Sequence, residues 1–105
     1  MISASAPGVQ VWLATQPVDM RKSFDALCGV VENFLQRDPQ SGHLFVFRNR
    51  GGHLLKILWH DREGWAIYYK RLDQGLFHFP DGTTAVEISR AALVELLAGK
   101  PVRKS

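Results

Sequence analysis

Six basic side chains, Arg21, Lys22, Arg48, Arg50, Lys70 and Arg71, carry the chemistry this sequence offers most readily. Guanidinium and ammonium groups brought together bind anionic oxygen, and an arginine presents its donors in a fork that matches two oxygens of one phosphate. The six lie in three separate blocks of the chain, so a common site depends on what the fold does with them. Other reactive types are poorly arranged. His43, His53, His60 and His78 lack the i, i+4 spacing of a helical metal pair, and the single cysteine, Cys28, stands apart from them. Asp61 and Glu63 are the one acidic pair that could hold Mg²⁺ beside a phosphodiester, but Asp61-Arg62-Glu63-Gly64 has the composition of a polar hairpin turn, and that reading is preferred. Ser23 and Ser89 have no His and Asp beside them, and Gly51-Gly52 lacks the length and the lysine of a phosphate loop. No catalytic residue, metal site or cofactor is expected, and the chain reads as a non-enzyme.

The elements that must position the basic blocks follow from periodicity. Leu44 to Arg48, His53 to His60 and Trp65 to Arg71 are rich in β-branched and aromatic residues and are separated by Asn49-Arg50-Gly51-Gly52 and the Asp61–Gly64 string, which predicts a three-stranded meander. Antiparallel strands place the end of the first, the start of the second and the end of the third at one edge. That edge receives Arg48, Arg50, His53, Lys70 and Arg71, while Asp61, Arg62 and Glu63 go to the opposite one. Val9 to Ala14 alternates as a preceding strand. A helix capped by Asp19 is expected to run to about Gln36, with Met20, Phe24, Leu27, Val31, Phe34 and Leu35 on one stripe. A short turn through Asp38-Pro39 leads from its end into the meander, so its beginning approaches the basic edge and adds Arg21 and Lys22 to the cluster. After Pro80-Asp81-Gly82, Ala85 to Ile88 has room for a short fifth strand, and Ser89 caps a last helix that ends before Gly99.

Four-residue turns put Leu44, Val46, Leu55, Ile57, Trp59 and Tyr68 on one sheet face and Phe45, Phe47, Leu54, Lys56, Leu58, Trp65, Ile67 and Tyr69 on the other. Both faces are too apolar for water, and one helix stripe cannot cover both, so the second must meet either the C-terminal segment or another chain. Phe45, Lys56 and Tyr69 could also form a platform for unpaired bases, although a second half of the core, with Lys56 at its border, is the preferred account.

The whole-chain quantities bound these readings. A length of 105 residues fits one domain, with an ordered core at about 9–99 and a basic tail at 100–105. The net charge of +3 is compatible with nucleic acid without pointing to it. A lone cysteine suits a reducing cytoplasm; the first ten residues lack a leader's basic and apolar regions, and Lys56 interrupts the longest apolar run, so neither secretion nor membrane insertion is expected.

Four blocks then carry a family resemblance. Pro17-Val18-Asp19-Met20-Arg21-Lys22-Ser23-Phe24-Asp25, Leu44-Phe45-Val46-Phe47-Arg48-Asn49-Arg50, Leu55-Lys56-Ile57-Leu58 and Tyr69-Lys70-Arg71-Leu72 resemble, in order, the TnpB accessory family of insertion-sequence sixty-six (IS66) elements. The likeness covers about Val9 to Pro80, with a weaker echo at Leu93 to Gly99. It departs at Ala26, where glycine is common, and at the two turns, Gly52-His53-Leu54 and His60-Asp61-Arg62-Glu63. The resemblance implies a second-reading-frame product of a bacterial mobile element, acting in transposition beside a larger transposase that supplies the catalytic carboxylates. It is distinct from the RNA-guided nucleases that share the name, and it carries over no catalytic or binding residues.

Together these readings predict an α+β domain. A mainly antiparallel sheet in the order β-α-β-β-β carries one long helix and a short C-terminal helix. Two mechanisms are expected to compete: the basic edge holds DNA through phosphate contacts, or an apolar face or edge strand docks onto the transposase, another protein of the element or a second copy to form a homodimer.

Overall fold

The structure, a computed structural model, describes residues 8–82 and 84–101. Most of the basic tail, 102–105, lies outside the described residues. Five strands, β1 (Val11–Ala14), β2 (Leu44–Arg48), β3 (Leu54–His60), β4 (Trp65–Arg71) and β5 (Ala85–Ile88), form one sheet in the order β4-β3-β2-β1-β5. Helix α1 (Phe24–Asn33) links β1 to β2, and α2 (Arg90–Leu97) follows β5.

The α+β class and the meander are as the periodicity predicts, but the sheet is mixed rather than mainly antiparallel. β1 runs parallel to β2, with Val11 opposite Leu44, and antiparallel to β5, with Val11 opposite Ile88. The physical reason is the connection: a helix between two neighbouring strands carries the chain back to its starting end, and parallel pairing results. His43 fixes this junction, since its Nδ1 accepts the Gln10 backbone N–H at 3.0 Å while the Leu44 N–H donates to the Gln10 carbonyl at 2.9 Å.

The expected long helix is also corrected. α1 has ten residues, and Met20 to Lys22 are a turn rather than its first coil. A continuing helix would give the Met20 and Lys22 carbonyls to N–H groups four residues on. Here the Lys56 ammonium takes both, at 2.7 Å each. Asp19 serves the same turn: its carboxylate accepts the Arg21 N–H at 2.8 Å, and its carbonyl accepts the Lys22 N–H at 3.0 Å. At the other end the helix stops at Asn33 and Gln36 turns left-handed at φ +54°; Phe34 and Phe24, both expected on the buried stripe, are exposed.

The apolar residues divide between two layers along the predicted faces. Phe45, Phe47 and Leu58 pack with Trp12 of β1 against Leu27 and Val31 of α1. Leu44, Val46, Leu55 and Ile57 pack on the other side with Phe77 and with Ala92, Leu93 and Leu96 of α2. Of the two covers open to that second face, the C-terminal segment is therefore the one that closes it. α2 is well specified locally. Ser89 Oγ accepts the Ala92 N–H at 3.1 Å, and the helix closes with Gly99 at φ +79° while the Lys100 N–H returns to the Glu95 carbonyl at 2.9 Å.

Candidate nucleic-acid interface

The β2–β3 connection at the basic edge is held by its own hydrogen bonds. Asn49 Oδ1 accepts the Gly52 N–H at 2.9 Å and the Leu54 N–H at 3.0 Å, so one side chain holds the whole turn. Gly52 is buried at φ +81°, and its carbonyl accepts the Phe77 N–H at 2.7 Å. Arg50 sits at the exposed tip of this rigid turn. Beside it comes the segment from Pro17 to Arg21, tied to the sheet by the Val18 N–H to the Arg48 carbonyl at 2.9 Å and by Lys56 from below. The two segments and the end of β4 enclose an open cleft of about 690 Å³, with Asp19, Arg21, Asn49 and Arg50 on its walls and Leu54 and Tyr69 among its apolar lining.

The fold does not bring the six basic residues together as one cluster. Arg48, Leu55 and Lys70 are aligned across β2, β3 and β4, so Arg48 and Lys70 share the face of Leu55, which is the α2 face. Arg48 donates to the Thr15 carbonyl at 2.9 Å and lies 5.2 Å from the centre of the Phe79 ring; Lys70 donates to the Leu97 carbonyl at 2.7 Å, closing the end of α2. Arg71 is paired with Leu54 and therefore lies on the cleft face, exposed at the end of the edge strand. Arg21 is held by Asp19 through two-point contact, Nη2 to Oδ2 at 2.7 Å and Nε to Oδ1 at 3.1 Å, with its side chain 92% exposed. That contact holds the Asp19 carboxyl down to about 2 and raises the Arg21 guanidinium further. Lys22 is half-buried. Among the described residues, the Arg50 and Arg71 side chains make no hydrogen bond or ion pair.

Of the proposed stacking residues, Phe45 is fully buried, Lys56 is 7% exposed and Tyr69 is 53% exposed. The Lys56 ammonium has three donors, and they find three partners: the two carbonyls and the Tyr69 ring, whose centre lies 4.8 Å away. A buried charge without partners costs on the order of several kcal/mol, which explains why this lysine dictates the path of residues 20–22.

At the opposite end Asp61 and Glu63 occupy an exposed turn, where the Asp61 carboxylate accepts the Arg62 N–H at 2.7 Å. Among the described residues no three His, Cys, Asp or Glu side chains are grouped to hold a metal ion. His60 packs edge-on against Trp65, with ring centres 4.8 Å apart, and His53 meets Asn49 at 3.3 Å. Partial burial pushes the Cys28 thiol up, away from the reactive thiolate. No described helix is long and apolar enough to cross a membrane.

The family described as IS66 Orf2 like protein matches residues 9–105. The chain belongs to this IS66 Orf2-like family. It is 45% identical over 96 residues to the uncharacterized protein y4hO of Sinorhizobium fredii, covering 90% of this chain and 84% of that protein. It is 34% identical over 108 residues to the uncharacterized protein y4jC of the same organism, covering 92% and 91%. No solved structure matches the chain. Membership in the IS66 family makes it a transposition-associated accessory protein.

The cleft has contributors outside the expected basic set. Asp19, which the sequence predicts as a helix cap, instead meets Arg21 two residues on, a spacing that suits a turn in which carboxylate and guanidinium pair. Asn49 and Leu54, expected in a turn and on an apolar sheet face, reach the cleft because they flank the Arg50 turn.

Proposed function

We propose that this IS66 accessory protein binds DNA through the cleft face of its basic edge and takes no part in the chemistry of strand transfer. The observation that carries the reading is the exposure of Arg50 and Arg71 beside an open cleft, one on a rigid turn and the other at a strand end, without a protein partner among the described residues. Free guanidinium groups on rigid supports suit phosphate, and contacts of that kind fix position while carrying little sequence information. Lys22 adds charge nearby. Arg21 contributes less, because Asp19 already compensates it.

A double reversal, Arg50→Glu with Arg71→Glu, tests this against Arg62→Glu with Lys100→Glu, a pair of equal charge on other parts of the surface. Fluorescence anisotropy over a salt series should show that the first pair weakens binding and lowers the slope of log affinity against log salt by about 0.7 to 0.9 per lost contact, while the second does neither. Equal losses in the two variants would reduce the edge to an ordinary solvated surface.

A second reading is favoured by one feature. β4 is an edge strand of seven residues with Tyr68 and Tyr69 exposed, and its free backbone groups suit a docked strand of the transposase, of another protein of the element or of a second copy. The two readings use different atoms, since the phosphate contacts are side-chain and strand docking is main-chain.

A further inference from the structure

We infer that the cleft takes an unpaired nucleotide of single-stranded DNA, with its base stacked on Tyr69 and its backbone phosphates held by Arg50 and Arg71. The inference rests on the DNA reading above and names the form of DNA. Contacts to the phosphates of a duplex need neither a concavity nor an apolar lining. This site has both, with Leu54 and Tyr69 in the lining of a cleft walled by arginines. Aromatic surface set inside positive charge is the arrangement that holds splayed bases, because every base offers a stacking face and every nucleotide a charge. In a duplex those faces are already occupied by neighbouring bases, so only an unpaired or extruded nucleotide can use the ring.

Tyr69 is built as a platform rather than left over from the core. Its ring is more than half exposed, yet it is held from beneath by the Lys56 ammonium, which is itself fixed by the Met20 and Lys22 carbonyls. A ring so fixed loses little freedom when a base lies on it. Arg71 stands two residues beyond Tyr69 on the same face of β4, about 6.7 Å along the strand, so base and phosphate meet adjacent supports. Arg50 closes the site from the neighbouring turn, and Asp19, facing Arg21, leaves the excess charge to these two.

The test compares a thymidine dodecamer, the same oligonucleotide with abasic positions, and a duplex of equal length, each by anisotropy over a salt series. Wild type should bind the dodecamer more tightly than the duplex. Tyr69→Ala should lower affinity for the dodecamer by about 5- to 150-fold with an unchanged salt slope, since it removes a stack and no phosphate contact. Tyr69→Phe should retain binding and Tyr69→Leu should not, although both keep an apolar side chain over Lys56. The abasic strand should bind wild type and Tyr69→Ala equally. Equal binding of single strand and duplex, or a folded Tyr69→Ala that binds the dodecamer like wild type, overturns the inference. If the Arg50→Glu, Arg71→Glu variant is still weak in that case, the DNA reading survives; if it binds normally, that reading fails as well.

Discussion

Two faces of one sheet end carry basic residues and put them to opposite uses. On the α2 face, Arg48 and Lys70 turn inward and donate to the Thr15 and Leu97 carbonyls, although the buried Arg48 Nε–H finds no acceptor among the described residues. On the α1 face, the charge nearest the core, Lys56, is likewise committed to backbone carbonyls, while Arg50 lines an open cleft and Arg71 stands exposed at the strand end on the same face. The difference lies in what covers each face. α2 and Phe77 close over one, so a long basic side chain there meets protein oxygen before water; α1 begins only at Phe24, and the sheet corner beyond it is left open. Charge at a strand end therefore says little until its face and its cover are known.

The largest effect should come from removing that cover. Leu96 is fully buried between α2 and the sheet, and Leu96→Ala should lower stability by about 2 to 5 kcal/mol in urea denaturation. A loss below about 1 kcal/mol would mean that α2 is not what closes this face. Smaller, and closer to the comparison itself, are the basic residues. Arg48→Met and Lys70→Met each remove a charged hydrogen bond to a carbonyl and should cost about 1 to 2 kcal/mol, discounted for their partial exposure. Arg50→Gln and Arg71→Gln should stay within about 0.5 kcal/mol of wild type in the same denaturation experiment. Equal costs on both faces would remove the distinction.

The smallest effect concerns Asp19. Its folded carboxyl titrates near 2, below the ordinary value of 3.8, because the Arg21 side chain and backbone N–H both bond to it. A depressed folded value means that the contact favours the fold above the ordinary value and that this contribution fades as pH falls through about 2. Solvent around this exposed pair keeps the contribution small. An NMR titration should show the Asp19 carboxyl midpoint near 2 in wild type and closer to 3.8 in Arg21→Gln; an unmoved midpoint would contradict the two-point contact.

Much of this was legible in the sequence, and the exceptions share a cause. Alternation along Leu44–Arg48, Leu54–His60 and Trp65–Arg71 yielded the strands and their faces, since a half-buried strand writes its orientation into every second residue. The Ser89 cap and the Gly99 stop were readable because capping is local. The start of α1 was not, because Lys56, more than thirty residues away, takes the carbonyls that decide it. Parallel pairing of β1 with β2 is equally non-local. The division of the basic residues is also written in the sequence: with Leu55 on one face and Lys56 on the other, alternation assigns Arg48 and Lys70 to the first and Arg71 to the second.

The most direct measurement of the central claim is an NMR titration of the labelled protein with a short single-stranded oligonucleotide, followed at backbone amides and at the arginine Nε–H groups. The account predicts that shifts concentrate at 19–22, 49–54 and 69–71, with the Nε–H signals of Arg50 and Arg71 moving most, while Arg48, the 61–64 turn and α2 stay in place. Shifts centred on α2 or on the 61–64 turn, or spread evenly over all arginines, would contradict it.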